Sequence, residues 1–379
     1  MVPEIRNRNI AVVVPKYGLV GGGEKFVFEL TERIAVNDRY KIHVFANKWK
    51  EQSDRVVFHK VPIITFPRFL STISFAWFAN RKIANMHFDL IHAHERIFRA
   101  DIFTMHSVPH RFWVKEVRKK AMSLFDYGTI WVEEQMIRTG GCKKYLPVSS
   151  ITKEKFLQEF PVDPEKIQIV YPGVEIDKFD RLDRTACRQE IRQRFGLDEK
   201  DTVILFVGMN FELKGLDQII SSMAAVKSMQ PSVKLRLLVV GKGNEKKYTN
   251  LARECGLEKD VIFTGIWKED IEKVYLTSDI FSMLSDFDTF GMTVLEAMSA
   301  SLPVVISENV GAKDLVRDGI NGYVVKNDDI GLISSKLVMM LNDQVRNTMA
   351  TEAHREAAKH TWDSVAEKVL KIYGDLAGR

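Results

Sequence analysis

Several stretches of this chain are apolar without interruption: Ala-Val-Val-Val at 11–14, Val-Ile-Leu-Phe-Val at 203–207, and Leu-Leu-Val-Val at 237–240. A strand with one wet face alternates apolar and polar residues. An unbroken run is what a strand covered on both faces needs. Similar runs occur at Ile10–Val14, Ile42–Ala46, Leu90–His92, Ile102–Met105, Lys144–Val148 and Ile167–Val170, and again at Val203–Val207, Leu235–Val240, Val261–Thr264, Ile280–Leu284, Val304–Ile306 and Tyr323–Val325. Longer segments of helical pattern lie between them, so the strands are expected to be parallel. At 379 residues the chain is too long for one ordinary core. The turn Tyr171-Pro172-Gly173 suggests the break. The expectation is therefore two doubly wound α/β domains, residues 1–172 and 173–360. Residues 361–376 carry Trp362, Val365, Val369, Ile372 and Tyr373 at helical spacing and read as a final amphipathic helix.

Composition removes several classes of function. Three widely spaced cysteines, Cys142, Cys187 and Cys255, make neither a disulfide framework nor a zinc site. His92 and His94 are read as alternating along a strand onto opposite faces, so no metal is expected. The N-terminal segment has no leader pattern, and the apolar stretch Phe69–Phe78 is about half a membrane span. A protein that stays on the cytoplasmic side is expected. Charge is uneven. Residues 1–172 hold 27 Lys and Arg against 18 Asp and Glu, whereas 173–379 hold 28 against 32. The first half is thus suited to meet something anionic.

Ligands of open parallel sheets sit beyond the carboxyl ends of the strands, so the segments just after the strands matter most. Ser285-Asp-Phe-Asp-Thr-Phe-Gly-Met-Thr-Val-Leu-Glu296-Ala follows one of them. Asp288 and Glu296 are eight positions apart, about two helical turns, which lets both face one side. Gly291 would allow a ligand close to the backbone. The N–H groups that follow, at Met292 and Thr293, open a helix that can hold a diphosphate. A second segment, Gly208-Met-Asn-Phe-Glu-Leu-Lys214-Gly215, ends in a lysine able to meet phosphate as a point charge. The third is the glycine-rich turn Gly21-Gly22-Gly23-Glu24 after the first run. A dinucleotide fingerprint is the rival interpretation. It requires an acid at the end of the second strand, where Ala46-Asn47 stands instead. A fourth segment runs from Asp101 to His106.

Together these segments resemble the family 4 glycosyltransferases, and within that family the lipopolysaccharide-core glucosyltransferases. The resemblance covers nearly the whole chain. Asp288-Thr-Phe290-Gly291 with Glu296-Ala matches the family's acid-x-Phe-Gly and Glu-Ala signature, with Asp in place of the usual first Glu. Lys214-Gly215 matches the pair that grips the donor diphosphate, but no arginine stands between Met209 and Leu213, where many members have one. Gly22-Gly23 matches the donor-facing glycines, and His106 the histidine beside the donor hexose. Asp101 is an acceptor-side candidate, and with His106 and Asp288 it makes up the candidate catalytic set. The resemblance implies a GT-B fold, two Rossmann-like domains facing across a cleft, with the last helix returning to the first domain. It also implies retaining, metal-independent hexosyl transfer from a nucleotide sugar such as UDP-glucose, a co-substrate rather than a cofactor. The rivals are a nucleotide-sugar epimerase and a non-catalytic sugar-binding protein.

One segment adds a surface. Arg111, Lys115, Arg118, Lys119 and Lys120 are interleaved with Phe112, Trp113, Val117, Met122, Leu124 and Phe125. Basic residues among aromatics suit an anionic membrane surface. The alternative is a helix with a buried apolar stripe and solvated charges. No nucleic-acid recognition motif accompanies the charge. The region corresponds to the acceptor side of the resembled enzymes, so a glycan or glycolipid acceptor at the inner membrane face is expected.

Overall fold

The computed structural model describes residues 8–19, 21–50, 53–139 and 141–377. The first seven residues of the segment examined for a leader, Val20 of the glycine-rich turn and the last two residues lie outside them. The chain forms two compact units. One runs to Gly173 and takes up the chain again at Trp362; the other is Val174–Thr361.

The first unit contains strands β1 (Arg8–Val13), β2 (Lys16–Tyr17), β3 (Tyr40–Ala46), β4 (Lys48–Trp49), β5 (Val56–Lys60), β6 (Leu90–Ala93), β7 (Ile102–Met105) and β8 (Lys144–Pro147). Six of them form one sheet in the order β5-β3-β1-β6-β7-β8, and β2 and β4 form a two-residue ladder beside it. The second unit contains β9 (Thr202–Gly208), β10 (Leu235–Gly241), β11 (Val261–Gly265), β12 (Ile280–Met283), β13 (Val304–Ser307) and β14 (Gly322–Val325), in the order β11-β10-β9-β12-β13-β14. Every paired ladder is parallel. Both sheets start at the middle, step outward one way, then return and step outward the other way. That is the Rossmann order, with its switch points between β1 and β6 and between β9 and β12. The continuous runs are the central strands: Ile10, Val13, Ile204, Phe206, Leu237 and Val239 have no exposed surface.

One strand expectation needs correction. Ile167–Val170 is extended beside β8, and Gln168 N–H donates to Tyr145 O at 3.0 Å, but only a single bridge forms at Ile167. The sixth strand of the first sheet is instead β5, an edge strand whose outer residues are polar or exposed. Edge strands bury little and so carry a weak apolar signal.

The last helix, Trp362–Ala377, buries Trp362, Val365, Val369, Ile372 and Tyr373 in the first unit. Gly173 explains how the chain returns there. A Cβ on it would lie 2.7 Å from both Cα and N of Trp362, so this glycine serves close approach of two backbones. Tyr373 reaches β6, where its hydroxyl lies 2.6 Å from His92 Nδ1.

Seven of the nine histidines lie in the first unit. Burial holds His43 down at about 4, assisted by His59, whose Nε2 is 2.9 Å from His43 Nδ1. Burial likewise holds His92 at about 3 and His106 at about 4, and lowers His59, His94 and His110. The folded unit therefore keeps these rings neutral, while an unfolded chain takes up protons near the ordinary value of about 6.5. Below that pH the unfolded state binds more protons, so stability falls as pH drops from 6.5 toward 4. Trp267 is the one tryptophan outside the first unit. In a Trp267→Phe variant, urea unfolding followed by fluorescence reports that unit alone. Its midpoint should be lower at pH 5.0 than at pH 7.5; equal midpoints would contradict the argument.

Candidate functional site

Each unit assembles a cluster at the carboxyl edge of its sheet, at the switch point. In the second unit β9 ends at Gly208, and the turn that follows carries Lys214 to the start of helix Leu216–Met229. β12 ends at Met283, and the segment after it carries Asp288. The two side chains form an ion pair. Asp288 is fixed from three further sides. Its Oδ1 accepts from Phe290 N–H at 3.1 Å, its N–H donates to Asn309 O at 3.0 Å, and its carbonyl accepts from Gly311 N–H at 3.0 Å. A lysine paired to a carboxylate at a wet edge can exchange that partner for a phosphate oxygen, which leaves the carboxylate able to accept from a hydroxyl.

Helix Met292–Ser299 begins just beyond, so Asp288 lies before the helix and only Glu296 lies on it. The same-face argument from helical spacing therefore does not apply; the bridge between Asp288 and Val310 is what places Asp288. Gly291 caps the helix at φ 89°, and a Cβ there would meet Met283 Cε at 2.7 Å and Val310 Cγ1 at 2.9 Å. Its smallness thus serves packing and a left-handed backbone. Phe290 is 3 % exposed and packs in the core. Thr293 turns its hydroxyl to Met283 Sδ at 3.7 Å. The first-turn N–H groups of Met292 and Thr293 have no intrahelical partners and point out of the helix start. Glu296 accepts at 3.0 Å from Tyr275 Oη, a fully buried side chain. Sequence reasoning missed Tyr275 because a tyrosine in an apolar helix reads as core.

In the first unit, helix Gly22–Ile34 starts at the turn after β1. His106 follows β7, and a Cβ on Gly23 would lie 3.4 Å from its Cγ. Gly23 and His106 are thus brought together. Asp101 is not brought to them. It precedes β7 while His106 follows it, so about 16 Å of strand separates them. Its Oδ2 accepts from Ile91 N–H at 2.9 Å and its Oδ1 pairs with Lys143 at 2.9 Å. Asp101 stitches the amino edge of the sheet and is withdrawn from the candidate catalytic set.

His92 and His94 also need correction. Residues two apart on a strand share a face, and their ring centroids lie 4.2 Å apart. His94 Nδ1 is 3.0 Å from His106 Nε2. Among the described residues no group of three His, Cys, Asp or Glu side chains is arranged to hold a metal ion.

Beneath this cluster lies a buried ion pair that no sequence motif announces. Arg96 Nε donates to Glu133 at 2.8 Å, and its Nη2 donates to Ser107 Oγ at 3.1 Å and Val108 O at 3.3 Å. The other oxygen of Glu133 accepts from His110 N–H at 2.9 Å. The pair holds the segment that carries His106 against helix Leu124–Thr139.

The basic stretch is not a uniform charged face. His110–Phe112 begins a helix that continues as a π-helical turn over Trp113–Val117. Arg111 pairs with Glu134 at 2.9 Å and Glu159 at 2.7 Å. Arg118 donates at 2.6 Å to Asp126, which has no exposed surface. These two arginines are structural. Lys115, Lys119 and Lys120 are exposed, whereas Phe112 and Trp113 are half-buried. The exposed apolar residues follow on the next helix: Leu124, Tyr127 and Trp131, spaced as one helical stripe.

Comparison with known proteins identifies both units. Residues 20–178 match the model described as Glycosyltransferase Family 4, and 187–360 the model described as Glycosyl transferases group 1. The chain belongs with the GT-B glycosyltransferases of this type. A D-inositol 3-phosphate glycosyltransferase from Salinispora arenicola is 30% identical over 234 residues, 58% of this chain and 52% of the relative. A mannosylfructose-phosphate synthase from Agrobacterium fabrum is 24% identical over 253 residues, 64% and 55% respectively. The chain thus spans about half the length of these curated relatives. WaaG, a glycosyltransferase involved in lipopolysaccharide biosynthesis, shares the fold with a TM-score of 0.78, 20% identity and coverage of 96% and 99%. So does Anabaena HepE in complex with UDP-glucose, with a TM-score of 0.72, 18% identity and coverage of 97% and 99%.

Removing one partner of a buried ion pair leaves the other charge uncompensated and costs about 3–5 kcal/mol. Arg96→Met should destabilise the first unit by an amount of that order in urea unfolding. Arg96→Met with Glu133→Leu should recover part of the loss. A single variant as stable as wild type would show that the pair does not hold the His106 segment.

Proposed function

We propose that this chain transfers a hexose, with retention of configuration, from a nucleotide sugar such as UDP-glucose to a glycan or glycolipid acceptor. The observation that carries this reading is the meeting of Lys214 and Asp288 at the switch point of the second sheet, beside the start of the helix that bears Glu296. In this reading Lys214 and the N–H groups of Met292 and Thr293 hold the diphosphate and stabilise the charge that develops on it as the sugar leaves. Glu296, oriented by Tyr275, accepts from the ribose hydroxyls. Asp288, released from Lys214, accepts from the donor sugar, and His106 contacts the same sugar. The acceptor attacks on the face the nucleotide leaves, and the leaving phosphate takes its proton. No metal is assigned a step. The HepE complexes with UDP-glucose support this donor class.

The acceptor is inferred from the surface. Lys115, Lys119 and Lys120 beside the stripe Leu124, Tyr127 and Trp131 give charge and aromatic area together. We infer that this face lies on an anionic leaflet and that the acceptor is lipid-borne, like the lipopolysaccharide named for WaaG. No helix among the described residues is long and apolar enough to cross a membrane. Assays with inositol 3-phosphate as acceptor test the rival suggested by the curated relatives.

Lys214→Ala removes a charge-assisted contact of about 1.5–3 kcal/mol. Affinity for UDP, measured by calorimetry, should fall by about 10- to 100-fold. Unchanged affinity would remove Lys214 from the site. Glu296→Gln should lower UDP affinity while urea stability holds.

For the surface, each near-surface charge contributes about 1 kcal/mol on an anionic leaflet. Lys115→Gln, Lys119→Gln and Lys120→Gln together should release the protein from phosphatidylserine vesicles and leave UDP binding intact. Arg118 is spared because its loss would strand buried Asp126. Equal co-sedimentation with neutral and anionic vesicles would show a merely solvated face.

A further inference from the structure

Two histidines meet beside the glycine turn of the first unit. His94 leaves the end of β6 with its N–H donating to Val13 O of β1 at 2.9 Å, so its backbone is pinned at the switch point. Its Nδ1 lies 3.0 Å from His106 Nε2. The rings are 5.3 Å apart and tilted by only 17°, with Phe26 edge-on to His106 at 4.8 Å. His94 is 6 % exposed, and its Nε2 is buried without a hydrogen-bond partner among the described residues. Neighbouring His92 differs. Both its nitrogens are engaged, by Tyr373 Oη at 2.6 Å and Thr104 Oγ1 at 2.7 Å.

This geometry restricts where the protons sit. Burial keeps both rings neutral, and a neutral imidazole carries one N–H. A single proton therefore lies between His94 Nδ1 and His106 Nε2. If His106 supplied it, the proton of His94 would sit on Nε2, a buried N–H with no acceptor. A buried N–H without an acceptor forfeits its hydrogen bond at a cost of about 1–3 kcal/mol, and an unpaired buried acceptor is the better tolerated of the two. If His94 supplies it, Nε2 of His94 is a bare lone pair and no donor is stranded. The proton of His106 is then on Nδ1, for which no hydrogen bond is present among the described residues.

We propose that His94 is a positioning residue: its Nδ1–H donates to His106 Nε2, which fixes His106 as the Nδ1–H tautomer and makes it a neutral hydrogen-bond donor to an oxygen of the transferred sugar. His106 then serves as a donor and not as a general base. The role toward the sugar rests on the glycosyltransferase reading above; the tautomer does not.

The two parts are tested separately. In full-length protein labelled with 15N-histidine, long-range 1H–15N correlation at pH 7, assigned with His106→Gln, should show a protonated Nδ1 and a bare Nε2 on His106. The opposite tautomer in wild type would overturn the proposal. His94→Phe keeps a ring but removes the donor, whereas His94→Asn keeps a donor near the position of Nδ1. With UDP-glucose as substrate, kcat for UDP release should fall by about 10- to 100-fold in His94→Phe, the size of effect usual when a group that orients an active-site imidazole is lost. It should recover most of that loss in His94→Asn, with UDP affinity unchanged in both. Wild-type turnover in His94→Phe would also overturn it. The tautomer is read without substrate. Failure of wild type to turn over any nucleotide sugar would therefore count against the function and leave the tautomer result standing.

Discussion

A parallel sheet cannot be made from hairpins. Each strand must be followed by a crossover that carries the chain back to the starting edge. Most of these crossovers carry a helix; β3 to β5 and β6 to β7 are joined without one, and every pair is still parallel. Every strand therefore ends at the same edge of its own sheet, and every strand-to-helix segment emerges there. The Rossmann order adds a second constraint. At the middle of each sheet two neighbouring strands send their crossovers to opposite faces, which leaves the segments after them uncovered by a helix. Gly22 and Gly23 follow β1, His94 follows β6, Lys214 follows β9 and Asp288 follows β12. Each functional candidate owes its position to this geometry before it owes anything to its own chemistry.

The two clusters are then held by different means. In the second unit backbone pairing does the work. The bridge from Asp288 to Val310 and the hydrogen bonds to Asn309 and Gly311 fix the acid, and a left-handed glycine starts the helix beyond it. Lys214 is left with a partner it can exchange. In the first unit side chains do it. Buried Arg96 joins Glu133 to Ser107 and Val108, Glu133 holds His110 N–H, and the histidines link strand to strand. Such networks need every member in place, because a buried charge or N–H that loses its partner is expensive. The returning helix takes part through Tyr373, so the last residues of the chain brace the sheet near the site they are farthest from in sequence.

Much of this was legible because it is local. The central strands, the final amphipathic helix and the placing of Gly23, His106, Lys214 and Asp288 just after strands all follow from short patterns on a parallel sheet; that Gly23 meets His106 and Lys214 meets Asp288 shows only in the fold. What was not legible is just as specific. Asp101 sits only five residues before His106, yet a strand carries the chain to the opposite edge between them, so nearness in sequence became distance in space. Arg118 looks like its neighbours Lys119 and Lys120 in sequence, but only it finds a buried carboxylate. Gly291 carries a family signature, and its packing against Met283 and Val310 shows only in the fold. The edge strand β5 buried too little to be read, and His92 and His94 were placed on opposite faces although a strand's period of two puts them on one.

The sequence by itself determined the two parallel sheets and the edges at which chemistry could occur. Burial on both faces writes itself as unbroken apolar runs, and the direction of the chain then fixes which end of each strand carries the site. Tertiary structure alone decided which polar residues are tools and which are fastenings. Arg96, Asp101, Arg111 and Arg118 are the same residue types as the functional candidates, and their roles depend on what lies across a gap from them: a glutamate on another helix, an N–H on the next strand, a carboxylate without water. No local pattern records a partner that the fold brings from elsewhere in the chain, which is why the proton between His94 and His106 could be located only after the strands were in place.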